Sequence, residues 1–292
     1  MRRTLKITAA AAAVGALALG LAACGSDSGS KSGSSSSADG KAAKDASAPL
    51  VVAASPTPHA QILDYVRDHL AKSAGLDLQV KEFSDYVLPN TATEQGQVDA
   101  NFFQHKPYLD DFNKKNGTHL VAVADVELEP LGLYSHKIGS LSELKDGATV
   151  EVPNDTTNEA RALGLLAANG LITLRDGTEQ TATPADVTGN PRHLHFKELE
   201  AAQLPRSLGD VDAGVINGNY AIEGGLSPVK DALVTEKAAG NPYANILVVK
   251  KGQENDPRVV ELVKLLNSPQ VEQYIKDTFK GAVIPAFGTP AA

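Results

Sequence analysis

Two stretches of this chain hold side chains that could do chemistry together. "VPNDTTNEAR", residues 152–161, ends an apolar run and opens a helix-like one. Asp155, Thr156, Thr157 and Asn158 are all helix-capping types, and the free N–H groups of such a first turn attract an anion. Arg161 falls in the same turn, where a cation opposes the helix dipole. It reads either as an exposed arginine on an amphipathic helix or as a guanidinium gripping a carboxylate with both arms. "DANFFQHKPYLDDF", residues 99–112, holds four of the chain's seven Phe and seven Tyr, with Phe83 and Tyr86 just upstream. Phe is most often interior. Here it is interleaved with Asn101, Gln104, His105, Lys106, Asp110 and Asp111, and aromatic faces with a few polar tips describe a small-ligand pocket. "GVINGNY", residues 214–220, places Asn217 at the end of a buried-looking strand. Asn is a common turn residue, but at that position its amide could bond a polar ligand group.

Catalytic and metal signals are missing from the sequence. His193 and His195 stand two apart in a strand-like run, with no carboxylate or Cys repeating the spacing. There is no HExxH or CxxC cluster, no GxSxG, Walker or GxGxxG loop, and no nucleophile with a base at a useful spacing. The expectation is a binding protein, not an enzyme, with no metal and no cofactor.

The elements that must position these residues alternate between strand and helix. "LVVAA" (50–54), "LDLQVKEF", "DANFF", "HLVAVADV", "ATVEV", "HLHFKEL", "DAGVI" and "NILVVK" read as strands, and "GLYSHKIG" as extended. A helix is expected from His59 to Ser73, with Ile62, Val66 and Leu70 on one face. Others are expected over "KPYLDDFNKKNG", from Ser140 in a capping box with Glu143, and over "EARALGLLAANG" up to Gly170. Two helices capped by Asp256 and Ser268, each with Pro second, close the chain. This alternation predicts an α/β fold with mostly parallel sheets, whose ligand sites lie at the carboxyl ends of strands.

The first residues are a separate unit. "MRRTLK" is basic, Ile7 to Ala23 is apolar and small, and "LAAC" ends at Cys24, the only cysteine. This is the layout of a secretory signal over 1–23. A lone Cys in an exported protein needs a use other than an internal disulfide. Leu-Ala-Ala-Cys resembles the bacterial lipobox, so Cys24 is expected to carry lipid, and a diacyl anchor is stable where one chain is marginal. Residues 24–49 follow as a Gly/Ser/Ala tether reaching ~25–30 Å. The chain's net charge is −8, and losing Arg2, Arg3 and Lys6 with the leader makes it more acidic. With no basic run, nucleic acid is not an expected partner.

"DYVLPN" (85–90), "DANFFQHKPYL" (99–109), "VPNDTTNEAR" (152–161), "ELEAAQLPRSL" (198–208) and "VINGNYA" (215–221) together resemble the NlpA/MetQ family. These are substrate-binding lipoproteins, the methionine-binding component of ABC importers. The resemblance implies a two-lobed periplasmic-binding-protein fold, type II-like, with ligand in the cleft. Lobe I would be 50–132 and 246–292, and lobe II 133–245, joined near Glu129–Tyr134 and Tyr243–Leu247. It implies L-methionine as ligand, with D-methionine or a methionine dipeptide such as Gly-Met as the alternative and a lipid-anchored envelope enzyme as a remote one. It also implies delivery to an ABC permease and its ATPase by a monomer lipid-anchored on the extracytoplasmic face of the cell membrane. By the same resemblance, Tyr86, Phe103, His105 and Tyr108 surround the thioether. Asn158 and Arg161 hold the carboxylate, and Asn217 and Asn245 bond the head group. Tyr220 is a weaker candidate. Gly218 and Asn219 depart from the family pattern, where small hydroxyl residues are expected. Phe102 is expected to face core, because neighbours on a strand point to opposite sides.

Overall fold

The computed structural model describes residues 47–290. The expected signal segment, Cys24 and nearly all of the tether lie outside the described residues.

The strands run β1 (Leu50–Ala54), β2 (Leu78–Glu82), β3 (Ala100–His105), β4 (Leu120–Leu128), β5 (Gly132–Tyr134), β6 (Thr149–Pro153) and β7 (Thr173–Leu174). Then come β8 (Val187–Gly189), β9 (His195–Leu199), β10 (Ala213–Ile216), β11 (Ala232–Thr235), β12 (Asn245–Lys250) and β13 (Ile284–Gly288). They form a six-stranded sheet in the order β13-β4-β12-β3-β1-β2, a five-stranded sheet in the order β11-β5-β10-β6-β9, and a β7-β8 ribbon. The helices are α1 (Gln61–His69), α2 (Leu88–Glu94), α3 (Lys106–Asn116), α4 (Thr156–Ala168), α5 (Leu204–Ser207), α6 (Gly218–Glu223), α7 (Pro257–Leu266) and α8 (Pro269–Phe279).

Each sheet has its own core, as a two-lobed α/β fold requires. On the larger sheet, Val52, Ala54 and Phe102 pack with Ile62, Leu63 and Val66 of α1, Leu262 of α7 and Ile275 of α8. On the smaller sheet, Val150, Val152 and Val215 pack with Leu163 and Leu166 of α4. The chain crosses from one sheet to the other twice: after Leu128 to reach Gly132, and after Thr235 to return at Asn245. The second connection therefore spans 236–244, starting earlier than the expected Tyr243–Leu247.

The sheets are mixed, not mostly parallel. Pairings β1–β2, β1–β3, β6–β9 and β6–β10 are parallel, but β12 lies antiparallel to both β3 and β4, and β5 antiparallel to both β10 and β11. The strands that follow the two crossings, β5 and β12, enter their sheets from the other lobe and not by a helical crossover within one sheet, so nothing requires them to run parallel.

Local differences have local causes. The helix expected over 59–73 is a π turn (Pro56–Ala60), α1 and a short 3-10 turn (Ala71–Ala74), because Leu70 leaves helical geometry at φ −121. "GLYSHKIG" stops being extended at Tyr134, since Ser135 Oγ accepts from the backbone N–H groups of Lys137 and Ile138 and closes a turn. His193 is not in a strand: its φ is 48, and its Nδ1 lies 2.7 Å from Asp146 Oδ1. Strand β13 went unread because Pro285 and Gly288 interrupt it, which an edge strand tolerates.

Candidate ligand-binding site

Strand β3 is buried along its whole length, and its alternation sorts the aromatic stretch. Phe102 is fully buried in the core of the larger sheet. Phe103 points the other way, to a cluster with Tyr108, Phe112 and Tyr86. His105 ends the strand and caps α3: its Nδ1 accepts from Tyr108 N at 3.2 Å. With Nδ1 accepting, the proton is on Nε2, which lies 3.1 Å from Asn158 Oδ1. Burial and the nearby Arg161 charge push the His105 pKa down to about 3, so this imidazole is a neutral donor.

The opposite wall comes from α4 and α6. Asp155 caps α4 by accepting from Asn158 N at 3.0 Å, and both its oxygens accept from Asn158 Nδ2. That leaves Asn158 Oδ1 to accept from Asn217 Nδ2 at 2.9 Å. Asn217 occupies the cap position of α6 but makes no side-chain cap bond; its amide turns inward instead. Tyr86 donates to Asn219 Oδ1 at 2.5 Å, and Tyr220 donates to Ser84 O at 3.1 Å. Both bonds join the two sides of the cleft. Buried Asn217 Oδ1 and Asn219 Nδ2 have no hydrogen-bond partner. One is an acceptor and the other a donor, and both residues line the cleft.

Tyr86, Phe103, His105, Tyr108, Asn158, Arg161, Asn217 and Asn245 all line one cavity, together with Gln104, Glu129, Gly218 and Asn219. One side is aromatic: the Tyr86 ring lies 5.9 Å from Phe103 and 5.8 Å from Tyr108. The other side is amide and charge. Tyr220 stacks behind Tyr86 at 4.9 Å and does not line the cavity. The departures at 218 and 219 now have reasons. A Cβ on Gly218 would meet Glu129 Oε2 at 2.8 Å, and Asn219 is the acceptor for Tyr86.

Arg161 is buried, but its fork is already engaged. Nε donates to Glu236 Oε1 at 2.8 Å, and Nη2 to Glu236 Oε2 at 2.6 Å and to Glu129 O at 3.0 Å. Its guanidinium lies over the Tyr243 ring at 4.3 Å. Glu236, Tyr243 and Glu129 escaped sequence reading. They lie 75, 82 and 32 positions from Arg161 and form no local pattern.

Behind the cavity, His59 Nε2 lies 3.2 Å from Glu127 Oε1 and 3.3 Å from Glu129 Oε1. Glu129 Oε1 also accepts from Asn245 Nδ2 at 3.4 Å. One donor atom from each of His59, Glu127 and Glu129 lies within 4.8 Å of the others, a set that could offer a cation three ligands. The same carboxyls are also drawn toward their protonated forms. Burial raises both carboxyls to about 8, helped for Glu129 by the Glu127 charge, while burial lowers His59 despite Glu129. Unfolded, the carboxyls titrate near 4.5. The folded state therefore holds more protons between these values, and this contribution to stability is lost as pH rises through that window. His59 acts oppositely, its contribution being lost as pH falls below its ordinary 6.5. The Glu127→Gln variant should show a shallower fall in Tm between about pH 5 and about pH 8 than the parent protein. Equal slopes in a calorimetric pH series would rule out Glu127 as a carrier of that proton.

The NlpA lipoprotein family model matches residues 50–287. The methionine-binding lipoprotein MetQ of Bacillus subtilis is 41% identical over 271 residues, covering 91% of this chain and 93% of that one. The D-methionine-binding lipoprotein MetQ of Salmonella typhi is 40% identical over 277 residues, 94% of this chain and 96% of that one. Among solved structures, a nutrient binding protein from Burkholderia cenocepacia bound to methionine superposes with a TM-score of 0.79 at 43% identity, over 82% of this chain and all of that one.

Proposed function

This chain belongs to the NlpA lipoprotein family, and from that premise we infer that it binds methionine between its lobes and delivers it to an ABC importer, without catalysing a reaction. The observation that carries this reading is the convergence of eight residues from β3, α3, α4, β12 and two loops on one cavity, aromatic at one side and polar at the other. A buried zwitterion needs both charges met. Arg161 and the unpartnered Asn219 Nδ2 suit its carboxylate, while Asn158, expected there too, spends its amide on Asp155, His105 and Asn217. Asn217 Oδ1, also unpartnered, and Glu129 suit its ammonium, which would favour the ionised form of that carboxyl. Tyr86, Phe103 and Tyr108 suit a thioether, since sulfur–aromatic contacts contribute ~0.3–1.5 kcal/mol each.

The sheet assignments support lobe I as 50–132 with 246–292 and lobe II as 133–245, to within a few residues of each crossing. Relatives carry names such as membrane lipoprotein, and no helix of the described residues is long and apolar enough to cross a membrane. We extend this to a monomer anchored through lipid on Cys24 at the extracytoplasmic face. Metabolic labelling with a palmitate analogue, compared with Cys24→Ala, tests the anchor.

Native mass spectrometry of the purified protein should show a bound mass matching methionine. Ligand present at 100 times Kd should add ~2.7 kcal/mol of stability, seen as a raised Tm. No bound mass and no Tm shift with millimolar L-methionine would remove the reading. Names of relatives specify D-methionine, so D-methionine and Gly-Met belong in the same titration.

A further inference from the structure

Glu236 has no place in the ligand contacts above, yet it is among the most connected side chains near the cavity. It is the first residue after β11, at the start of the second crossing. Its Oε1 accepts from Arg161 Nε at 2.8 Å. Its Oε2 accepts from Arg161 Nη2 at 2.6 Å, from Leu131 N at 3.0 Å and from Asn241 Nδ2 at 3.1 Å. Its own backbone N–H donates to Leu131 O at 2.9 Å. Leu131 lies in the first crossing, and Asn241 in the second. Arg161 adds a bond to Glu129 O, also in the first crossing, and lies over Tyr243 of the second.

We propose that Glu236 is the positioning residue of the site: it fixes the direction of the Arg161 guanidinium and ties that guanidinium to both connections between the lobes. Three observations support it. The pairing is two-armed, so it sets orientation as well as charge. It takes up Nε and, with Glu129 O, Nη2, which leaves Nη1 as the guanidinium nitrogen with no hydrogen bond among the described residues. Burial raises the Glu236 carboxyl, but Arg161 and the Leu131 and Asn241 hydrogen bonds outweigh it and hold the group below its ordinary range, so the pair is ionic. Arg161 is the sixth residue of α4 and so lies in its second turn, not in the first as expected, where the helix dipole opposes a cation less.

The arrangement has a mechanical consequence. Closure of a two-lobed binder absorbs its backbone changes in the crossing segments. A ligand carboxylate reaching Arg161 pulls on a group bonded to residues 129 and 236 and packed on 243, and Glu236 is in turn bonded to Leu131. Occupancy is thereby linked to the hinge through one ion pair.

This inference rests on the methionine reading, so its test has one readout with ligand and one without. Glu236→Gln keeps the shape and removes the charge. In calorimetry, it should weaken methionine binding by about tenfold or more in the parent protein, but by less than about twofold in an Arg161→Ala background, because a residue acting through another has nothing left to act on. Equal losses in both backgrounds would mean a general structural role and overturn the proposal. Without ligand, hydrogen exchange at the Leu131 amide should speed up in Glu236→Gln, and unchanged exchange there overturns the hinge connection even if the parent protein binds no methionine. Glu236→Asp, which keeps the charge on a shorter arm, should recover part of both losses.

Discussion

Arg161→Ala is expected to weaken methionine binding by ~2–5 kcal/mol, the usual loss when a buried charge partner is truncated, which is ~30-fold to several-thousand-fold in Kd. The size follows from burial. Arg161 is 6% exposed, and a zwitterion's carboxylate placed beside it has left water. Without the guanidinium, that carboxylate keeps only amide donors. The same substitution leaves the partly buried Glu236 carboxylate without its charge partner, so the ligand-free protein should also lose Tm. Arg161→Lys separates the effects: it keeps a positive charge for Glu236 but cannot make the two-armed contact. Lys should recover much of the stability and little of the affinity. Calorimetry showing less than about a threefold change for Arg161→Ala removes this residue from the site.

Phe102→Ala and Phe103→Ala should have opposite profiles although the residues are adjacent. Phe102 is fully buried in the larger core, against the edge of the His59 ring at a centroid distance of 4.7 Å. Truncating such a ring costs ~3–5 kcal/mol of stability, because transfer and cavity terms add. Methionine affinity of the molecules that remain folded should change little. Phe103 borders space that is already open, so its cavity term is smaller. Losing it should cost less Tm but weaken methionine binding roughly two- to tenfold, through lost ring–sulfur contact. Paired denaturant unfolding and calorimetry check both halves. Equal stability losses, or no affinity loss at Phe103, contradict the assignment of the two faces of β3.

The same two residues show what was legible in advance. Side chains alternate across a strand whatever the fold, so "NFF" within a strand already places consecutive rings on opposite sides. "PNDTTNEAR" likewise carries its own helix start, and Asp155, Asn158 and Arg161, three apart, share one face by spacing alone. All eight residues that the family resemblance implied line the cavity; Asn245 came from the resemblance alone, with no local motif to point to it. The mixed sheets were not legible, because strand direction depends on where the chain crosses between lobes. Strand β13 was hidden by Pro285 and Gly288, which local propensity scores against a strand and an edge position permits.

By itself, the sequence determined the α/β class, the helix caps, the side of each strand that faces core, and which short motifs hold ligand-type chemistry. These follow from interactions within a few residues. Tertiary structure alone decided the state of the charges. It paired Arg161 with Glu236, 75 positions away, put Glu129 against Gly218 and Asn245, and enclosed His59 with two carboxyls whose burial favours the protonated form. Burial and distance set a charge's energy, and neither quantity exists until remote segments have folded onto one another.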